Sequence, residues 1–187
     1  YRTIATGLRF PEGPVPMDDG SVLVVEIARG TLSRVSAEGD VAVVAECGGG
    51  PNGCAIGPDG SAWITNNGGC FTWIDLGEFL LPGPLPESWT GGSIQKVDLA
   101  TGAVETIYDA CDGRPLRAPN DLVFDEHGGI WFTDHGVRQE RTSDLTGVYY
   151  AAADGSSIRE VIFPLNAPNG IGLSPAGDRV YVAETYT

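Results

Sequence analysis

Four polar residues in the 187-residue chain sit where their chemistry could converge. Asn52, Asn120 and Asn169 each follow a proline, in Gly50-Pro-Asn-Gly-Cys-Ala-Ile-Gly-Pro-Asp-Gly, Ala118-Pro-Asn-Asp-Leu-Val-Phe-Asp-Glu-His-Gly and Ala167-Pro-Asn-Gly-Ile-Gly-Leu-Ser-Pro-Ala-Gly. Glu12 lies in Phe10-Pro-Glu-Gly-Pro, a carboxylate held between two prolines. An amide oxygen from each repeat and one carboxylate are the donors a hard cation takes, since Ca²⁺ accepts about 6–8 oxygen ligands from carboxylates, amide carbonyls and water. Glu12, Asn120 and Asn169 form the candidate metal set. Asp121, directly after Asn120, is a further ligand or a proton acceptor, with capping of its own turn as the structural alternative. Asn52 reads as turn chemistry, because proline fixes φ and Asn-Gly tolerates positive φ.

Weaker candidates surround this set. Asn66 and Asn67 end a strand and could hydrogen-bond a polyhydroxy substrate, or cap a loop. His135, after Thr133-Asp134, ends another strand and is placed at the pocket border. His127 lies in a turn and is expected in solvent. Arg114 and Arg117 precede the Asn120 motif and would face an anionic ligand or Asp112. No Gly-x-Ser-x-Gly elbow is present, which argues against a serine hydrolase. No Gly-x-Gly-x-x-Gly opens a helix, which argues against nucleotide binding.

Each motif runs into an aromatic or β-branched strand: Ala62-Trp-Ile-Thr, Ile130-Trp-Phe-Thr and Val180-Tyr-Val-Ala. Strands are also expected at Ser21–Ile27, Gly30–Val35, Val41–Ala45, Ser93–Asp98, Ala103–Tyr108, Gly147–Ala151 and Ile158–Phe163, with Thr-Gly and Asp-Gly hairpin turns. Almost nothing shows helical periodicity. A motif that recurs every ~40–50 residues with four strands has the size of a propeller blade. The spacing from Asn52 to Asn120 is longer because of residues 68–92, which carry Phe71, Trp73 and Trp89 and the run Leu81-Pro-Gly-Pro-Leu-Pro. That segment is either a lid across a cavity mouth or packing on its own blade.

The fold class expected is therefore all-β, one propeller domain over residues 1–187. Blade 1 covers about 8–47, blade 2 about 48–110, blade 3 about 115–163, and half of a fourth blade 164–187. A truncated larger ring is preferred over a four-bladed ring closed by residues 2–5, because a half-blade leaves an open edge.

The net charge of −14 argues against nucleic acid and anionic membranes as partners. No run of ~18 apolar residues spans a membrane. No signal peptide is evident, although the sequence starts at Tyr1 and a leader could be missing; a cytoplasmic location is expected, with periplasmic or secreted as alternatives. Cys47, Cys54, Cys70 and Cys111 lack metal-knuckle spacing. Cys54 is expected as a buried small hydrophobe. Cys70 and Cys111 would be the pair to form a disulfide in an oxidising compartment.

The chain resembles the SMP-30/gluconolactonase family of lactonase-like six-bladed β-propellers. The resemblance rests on Phe10-Pro-Glu-Gly-Pro, Pro119-Asn-Asp-Leu-Val-Phe-Asp, Gly128-Gly-Ile-Trp-Phe-Thr-Asp, Gly147-Val-Tyr-Tyr, Pro168-Asn-Gly-Ile-Gly-Leu-Ser and Val180-Tyr-Val-Ala-Glu-Thr, in order along the chain. It implies a single divalent metal, Ca²⁺ first, with Zn²⁺, Mg²⁺ or Mn²⁺ as alternatives. Glu12 and Asn169 take the places of family ligands, and Asn120 that of a residue used for metal or substrate. Asp121 matches an acidic residue near the metal. The family's last ligand, an Asp from a later blade, has no counterpart before Thr187. The implied activity is hydrolysis of a lactone: the metal polarises the carbonyl, and Asp121 accepts a proton from water. The alternatives are a non-catalytic ligand- or protein-binding propeller with a structural metal in its channel, and a strictosidine-synthase-like enzyme that would not need this metal set. The natural lactone and the oligomeric state stay open.

Overall fold

The computed structural model describes residues 2–77 and 79–186. Among the described residues every regular element is a strand, and no helix is long and apolar enough to cross a membrane. The first sheet joins β1 (Pro11–Pro16), β2 (Val22–Glu26), β3 (Thr31–Val35) and β4 (Val41–Glu46) in sequence order. The second contains β5 (Pro51–Ile56) and β6 (Ala62–Asn66). A hairpin of β7 (Trp73–Asp75) and β8 (Leu80–Pro82) interrupts it before β9 (Ser93–Val97) and β10 (Val104–Tyr108) complete the order β5-β6-β9-β10. A small ribbon of β11 (Ala110–Cys111) and β12 (Arg114–Pro115) follows. The third sheet is β13 (Pro119–Phe124), β14 (Gly129–Asp134), β15 (Thr146–Ala152) and β16 (Ile158–Leu165), and the last is the pair β17 (Pro168–Leu173) and β18 (Val180–Glu184). All pairings within these sheets are antiparallel. These are three four-stranded propeller blades and the inner pair of a fourth.

Local sequence explains the repetition. The turn between the first two strands of a blade carries Asp and Gly: Asp59 Oδ1 accepts the Ser61 N–H at 3.1 Å, and Gly60 takes φ +81°, a value that Gly adopts without steric cost. Alternation on β2, β6 and β14 then turns their large apolar residues toward neighbouring sheets. Leu23, Val25, Leu32, Cys54, Ile64 and Val97 form one buried cluster between blades 1 and 2. Trp63, Ile94, Leu116, Ile130, Phe132 and Tyr149 form another between blades 2 and 3. The core thus lies between sheets, where each fully buried Leu, Ile or Phe contributes about 1.5–3 kcal/mol.

The inner strands β1, β5, β13 and β17 pack side by side in that order. All four cysteines are free and buried, so Cys70 and Cys111 do not pair here, and burial pushes the Cys54 thiol up to about 12. Arg114 pairs with Glu160 at 3.4 Å and Arg117 with Asp144 at 2.8 Å, so neither meets Asp112. His127 is exposed beside Glu126.

Candidate functional site at the inner strands

The Pro-Asn motif, Pro-Glu in blade 1, has two structural consequences in every blade. First, its proline sits opposite the last residue of the second strand: Pro11 faces Glu26, Pro51 faces Asn66, Pro119 faces Asp134 and Pro168 faces Glu184. Second, the ladder slips immediately afterwards. The register shifts between Glu12 and Val15, Pro51 and Gly53, Pro119 and Leu122, and Pro168 and Ile171. A β-bulge re-aims a side chain away from normal alternation. Each bulge contains one of Glu12, Asn52, Asn120 and Asn169.

Those four side chains line a single cavity of about 150 Å³. Asn67 and His135 border it as well. Its apolar wall comes from Phe10, Ile27, Phe71 and Pro82. Phe10 has φ +57°, which is unusual for a bulky residue and is found where structure over-determines it. Its ring packs 5.0 Å from Trp73, which in turn lies 6.0 Å from Phe71. Residues 68–92 contribute to the cavity wall and also pack on their own blade. Phe71 and Pro82 wall the cavity, while Trp89 donates to the Asn67 carbonyl at 2.9 Å and carries the Arg117 guanidinium 4.5 Å from its ring.

The other candidates separate by their hydrogen bonds. Asn66 is away from the cavity, its amide fully used: Oδ1 accepts from Gly50 and Gly68 N–H, and Nδ2 donates to Gly48 O and Gln95 Oε1. Asn67 Oδ1 accepts from Gly69 and Cys70 N–H, and its buried Nδ2 has no partner among the described residues. His135 Nδ1 lies 3.2 Å from Gly136 O, and its ring meets Tyr186 edge-on at 6.2 Å. Asp121, the expected proton acceptor, is not among the residues that line the cavity. Its Oδ1 accepts Leu122 N–H at 2.9 Å, and its Oδ2 accepts Ile171 N–H of the next blade at 3.0 Å. Asn52, which sequence reasoning assigns to turn chemistry, stands in the same ring as Asn120 and Asn169. The signal was available: Pro51-Asn52-Gly53 matches Pro168-Asn169-Gly170 residue for residue.

Charge in the site is one-sided. Burial pushes the Glu12 carboxyl above its ordinary value; the Gly13 N–H opposes this and the Asp121 charge adds to it. Burial likewise raises Asp121, against its two backbone N–H partners. No Lys or Arg lines the cavity. Among the described residues no group of three or more His, Cys, Asp or Glu could hold a metal, so a cation here would rest on amide oxygens together with Glu12. Such a donor set suits a hard cation. Asn169 lines the cavity, and its Nδ2 donates to Thr185 Oγ1 at 3.2 Å, a bond that does not use the amide oxygen.

The fold and this ring of Glu and Asn side chains define a β-propeller with a small chamber at the inner strands, polar on one side and apolar on the other. The chain belongs to the SMP-30/gluconolactonase/LRE-like family, whose family model matches residues 10–187. It is 26% identical over 203 residues to a gluconolactonase of Zymomonas mobilis, covering 97% of this chain and 51% of that protein. A shorter stretch of 66 residues is 41% identical to lactonase drp35 of Staphylococcus aureus, covering 35% of this chain and 20% of that one. A gluconolactonase structure from Xanthomonas campestris superposes with a TM-score of 0.72 at 22% identity, over 95% of this chain and 55% of that one. The chain spans about half the length of the gluconolactonase it matches.

Proposed function

We propose that this chain carries the site of a metal-dependent lactonase of gluconolactonase type. The observation that supports it is the convergence of Glu12, Asn52, Asn120 and Asn169, one from each inner strand, on a cavity with no Lys or Arg among its described lining residues. Glu12, Asn120 and Asn169 would hold the divalent cation, Ca²⁺ before Zn²⁺, Mg²⁺ or Mn²⁺, with Asn52 as a neighbouring donor. Bound there, the cation supplies Lewis-acid stabilisation of negative charge on a carbonyl oxygen.

The chain's own residues do the rest. The bulges fix the four donors relative to one another. The wall of Phe10, Ile27, Phe71 and Pro82 excludes water from the carbon face of a ring placed against it. His135, with Nδ1–H directed to Gly136 O, keeps Nε2 as an acceptor for a substrate hydroxyl at the border. Asp121 is the proposed proton acceptor, adjacent to Asn120 and held in place by the Leu122 and Ile171 N–H groups. Pure ligation by Asp121 is the other assignment.

The test is hydrolysis of glucono-δ-lactone after chelation and after adding back single cations. Activity lost to EDTA and restored by one cation is expected. Glu12→Gln should lower kcat/KM by at least about a hundredfold, the scale of a lost transition-state charge contact. Unchanged activity in Glu12→Gln would remove the metal role. A folded protein that binds the cation but hydrolyses no lactone would favour the binding propeller with a structural metal.

A further inference from the structure

Asn120 and Asn169 are each held by a side chain of the preceding blade. Thr65 is the penultimate residue of β6 and Thr133 that of β14, and both are fully buried. Thr65 Oγ1 accepts the Gly53 N–H at 2.7 Å, inside the blade 2 bulge, and donates to the Asn120 carbonyl of blade 3 at 2.5 Å. Thr133 Oγ1 repeats the pattern one blade on. It accepts the Asp121 N–H at 3.2 Å and donates to the Asn169 carbonyl of blade 4 at 2.5 Å. A hydroxyl is the one small group that can do both, as it has a donor and acceptor lone pairs. Thr adds a stiff χ1, which fixes the oxygen between two strands.

The first joint is built differently. The matching residue of β2 is Val25, which has no hydroxyl. The backbones approach closely at both joints, since a Cβ on Gly13 would lie 3.1 Å from the Asn52 carbonyl and one on Gly53 would lie 2.7 Å from the Asn120 carbonyl; what the first joint lacks is the bridging hydroxyl. The two Thr hydroxyls therefore serve the two joints that deliver Asn120 and Asn169.

We infer that Thr65 and Thr133 are positioning residues for the cation site, each clamping the bulge of its own blade to the backbone of the next blade's ligand Asn. The inference rests on the cation reading proposed above. Neither threonine lines the cavity, so neither is a ligand. Each acts through the main chain of the residue that is. Loss of an outer-shell partner of this kind typically costs about 10–100-fold in metal affinity.

The test is calorimetric titration of CaCl₂ into chelator-treated protein, with melting of the chelated protein recorded in parallel. Thr133→Val should weaken Ca²⁺ binding about 10–100-fold, while Thr133→Ser, which restores the hydroxyl, should stay close to wild type. Thr65→Val and Thr65→Ser provide the same comparison at the other joint should Thr133→Val fail to fold. Thr31→Val is the control. Thr31 is equally buried, and its hydroxyl bonds to Glu26 and Ser33 rather than to a ligand Asn. It should lower the melting temperature and leave Ca²⁺ affinity unchanged. Threonine-to-valine variants that melt lower yet bind Ca²⁺ like wild type would make both residues merely structural and overturn the inference, as would an equal affinity loss in Thr31→Val. A wild-type protein that binds no Ca²⁺ would remove the cation reading itself, an outcome distinct from unchanged affinity in the variants.

Discussion

Glu26 in blade 1 and Asp134 in blade 3 occupy equivalent places, opposite the proline of the motif, and both are fully buried. Each ties the segment that enters its blade's inner strand: Arg9 N–H reaches Glu26 Oε2 at 2.6 Å, and Arg117 and Ala118 N–H reach Asp134 at 2.7 Å each. Their remaining partners differ in kind. Glu26 is met by adjustable groups, the Ser33 hydroxyl at 2.6 Å and the Arg29 guanidinium at 2.9 Å. Asp134 adds a third backbone N–H, from Gly136 at 2.9 Å, and no cation among the described residues. In blade 1 a carboxylate is neutralised by side chains that can move. In blade 3 it is held by main-chain donors that cannot. Blade 2 uses the neutral Asn66 for the same job, and blade 4 uses Glu184, which accepts the Asn166 N–H. The position is general to the repeat, whereas the charge on it is not.

The largest way to break this comparison is Asp134→Ala. Three buried N–H groups lose their acceptor at once, and each such loss costs about 1–3 kcal/mol. Summed with the usual non-additivity, a destabilisation of about 3–5 kcal/mol is expected. For a chain of this size that is a melting-point drop on the order of 10 °C. A loss below about 1 kcal/mol would mean that water replaces the carboxylate, and that this clasp is no more rigid than that of blade 1.

A sharper version uses isosteres. Glu26→Gln keeps an acceptor for Arg9 N–H, and the Ser33 and Thr31 hydroxyls can rotate to suit an amide. What it loses is the charge assistance to Arg29, so about 1–2 kcal/mol is expected by denaturant unfolding. Asp134→Asn has no such escape. One amide oxygen can still take Ala118 and Gly136 N–H, but the NH₂ must then face the Arg117 N–H, donor against donor. It should cost more than Glu26→Gln; equal costs would erase the distinction between adjustable and fixed partners.

The same contrast explains what could be read from the sequence. The blade repeat, the hairpins and the candidates Asn120 and Asn169 were legible because a Pro-Asn turn before an apolar strand is a local pattern, and Glu12 because it is a carboxylate held between two prolines. Asn52 was in that pattern too, and its identity with Pro168-Asn169-Gly170 was the signal that outweighs the turn chemistry of a lone Pro-Asn-Gly. Asn66 and Asn67 show the converse. They are adjacent polar residues at a strand end, and only the fold tells that Asn66 is the blade 2 member of the clasp while Asn67 borders the cavity. The two-sided role of Thr65 and Thr133 was invisible for the same reason. It depends on which carbonyl of the next blade lies within 2.5 Å, and about 36 to 55 residues of chain intervene.

The smallest effect, and the one most specific to charge, lies in pH dependence. At Glu26 burial raises the carboxyl, but the Ser33 hydroxyl, the Arg9 N–H and Arg29 outweigh it, and the pKa falls below its ordinary value. Its contribution is complete above the ordinary glutamate range and is lost as pH falls through the depressed value. At Asp134 burial dominates the three N–H bonds, the nearby Asp144 charge adds to it, and the pKa is raised. Its contribution is complete below the ordinary aspartate range and declines as pH rises through the raised value. Unfolding free energies measured from about pH 3 to pH 7, bracketing the ordinary carboxylate values, should therefore diverge. The gap between wild type and Glu26→Gln should widen with rising pH, and the gap between wild type and Asp134→Asn should narrow. Parallel slopes would show that the three backbone N–H groups neutralise Asp134 as fully as Arg29 and the hydroxyls neutralise Glu26, so that mobility of the partners, and not their charge, is what separates the two blades.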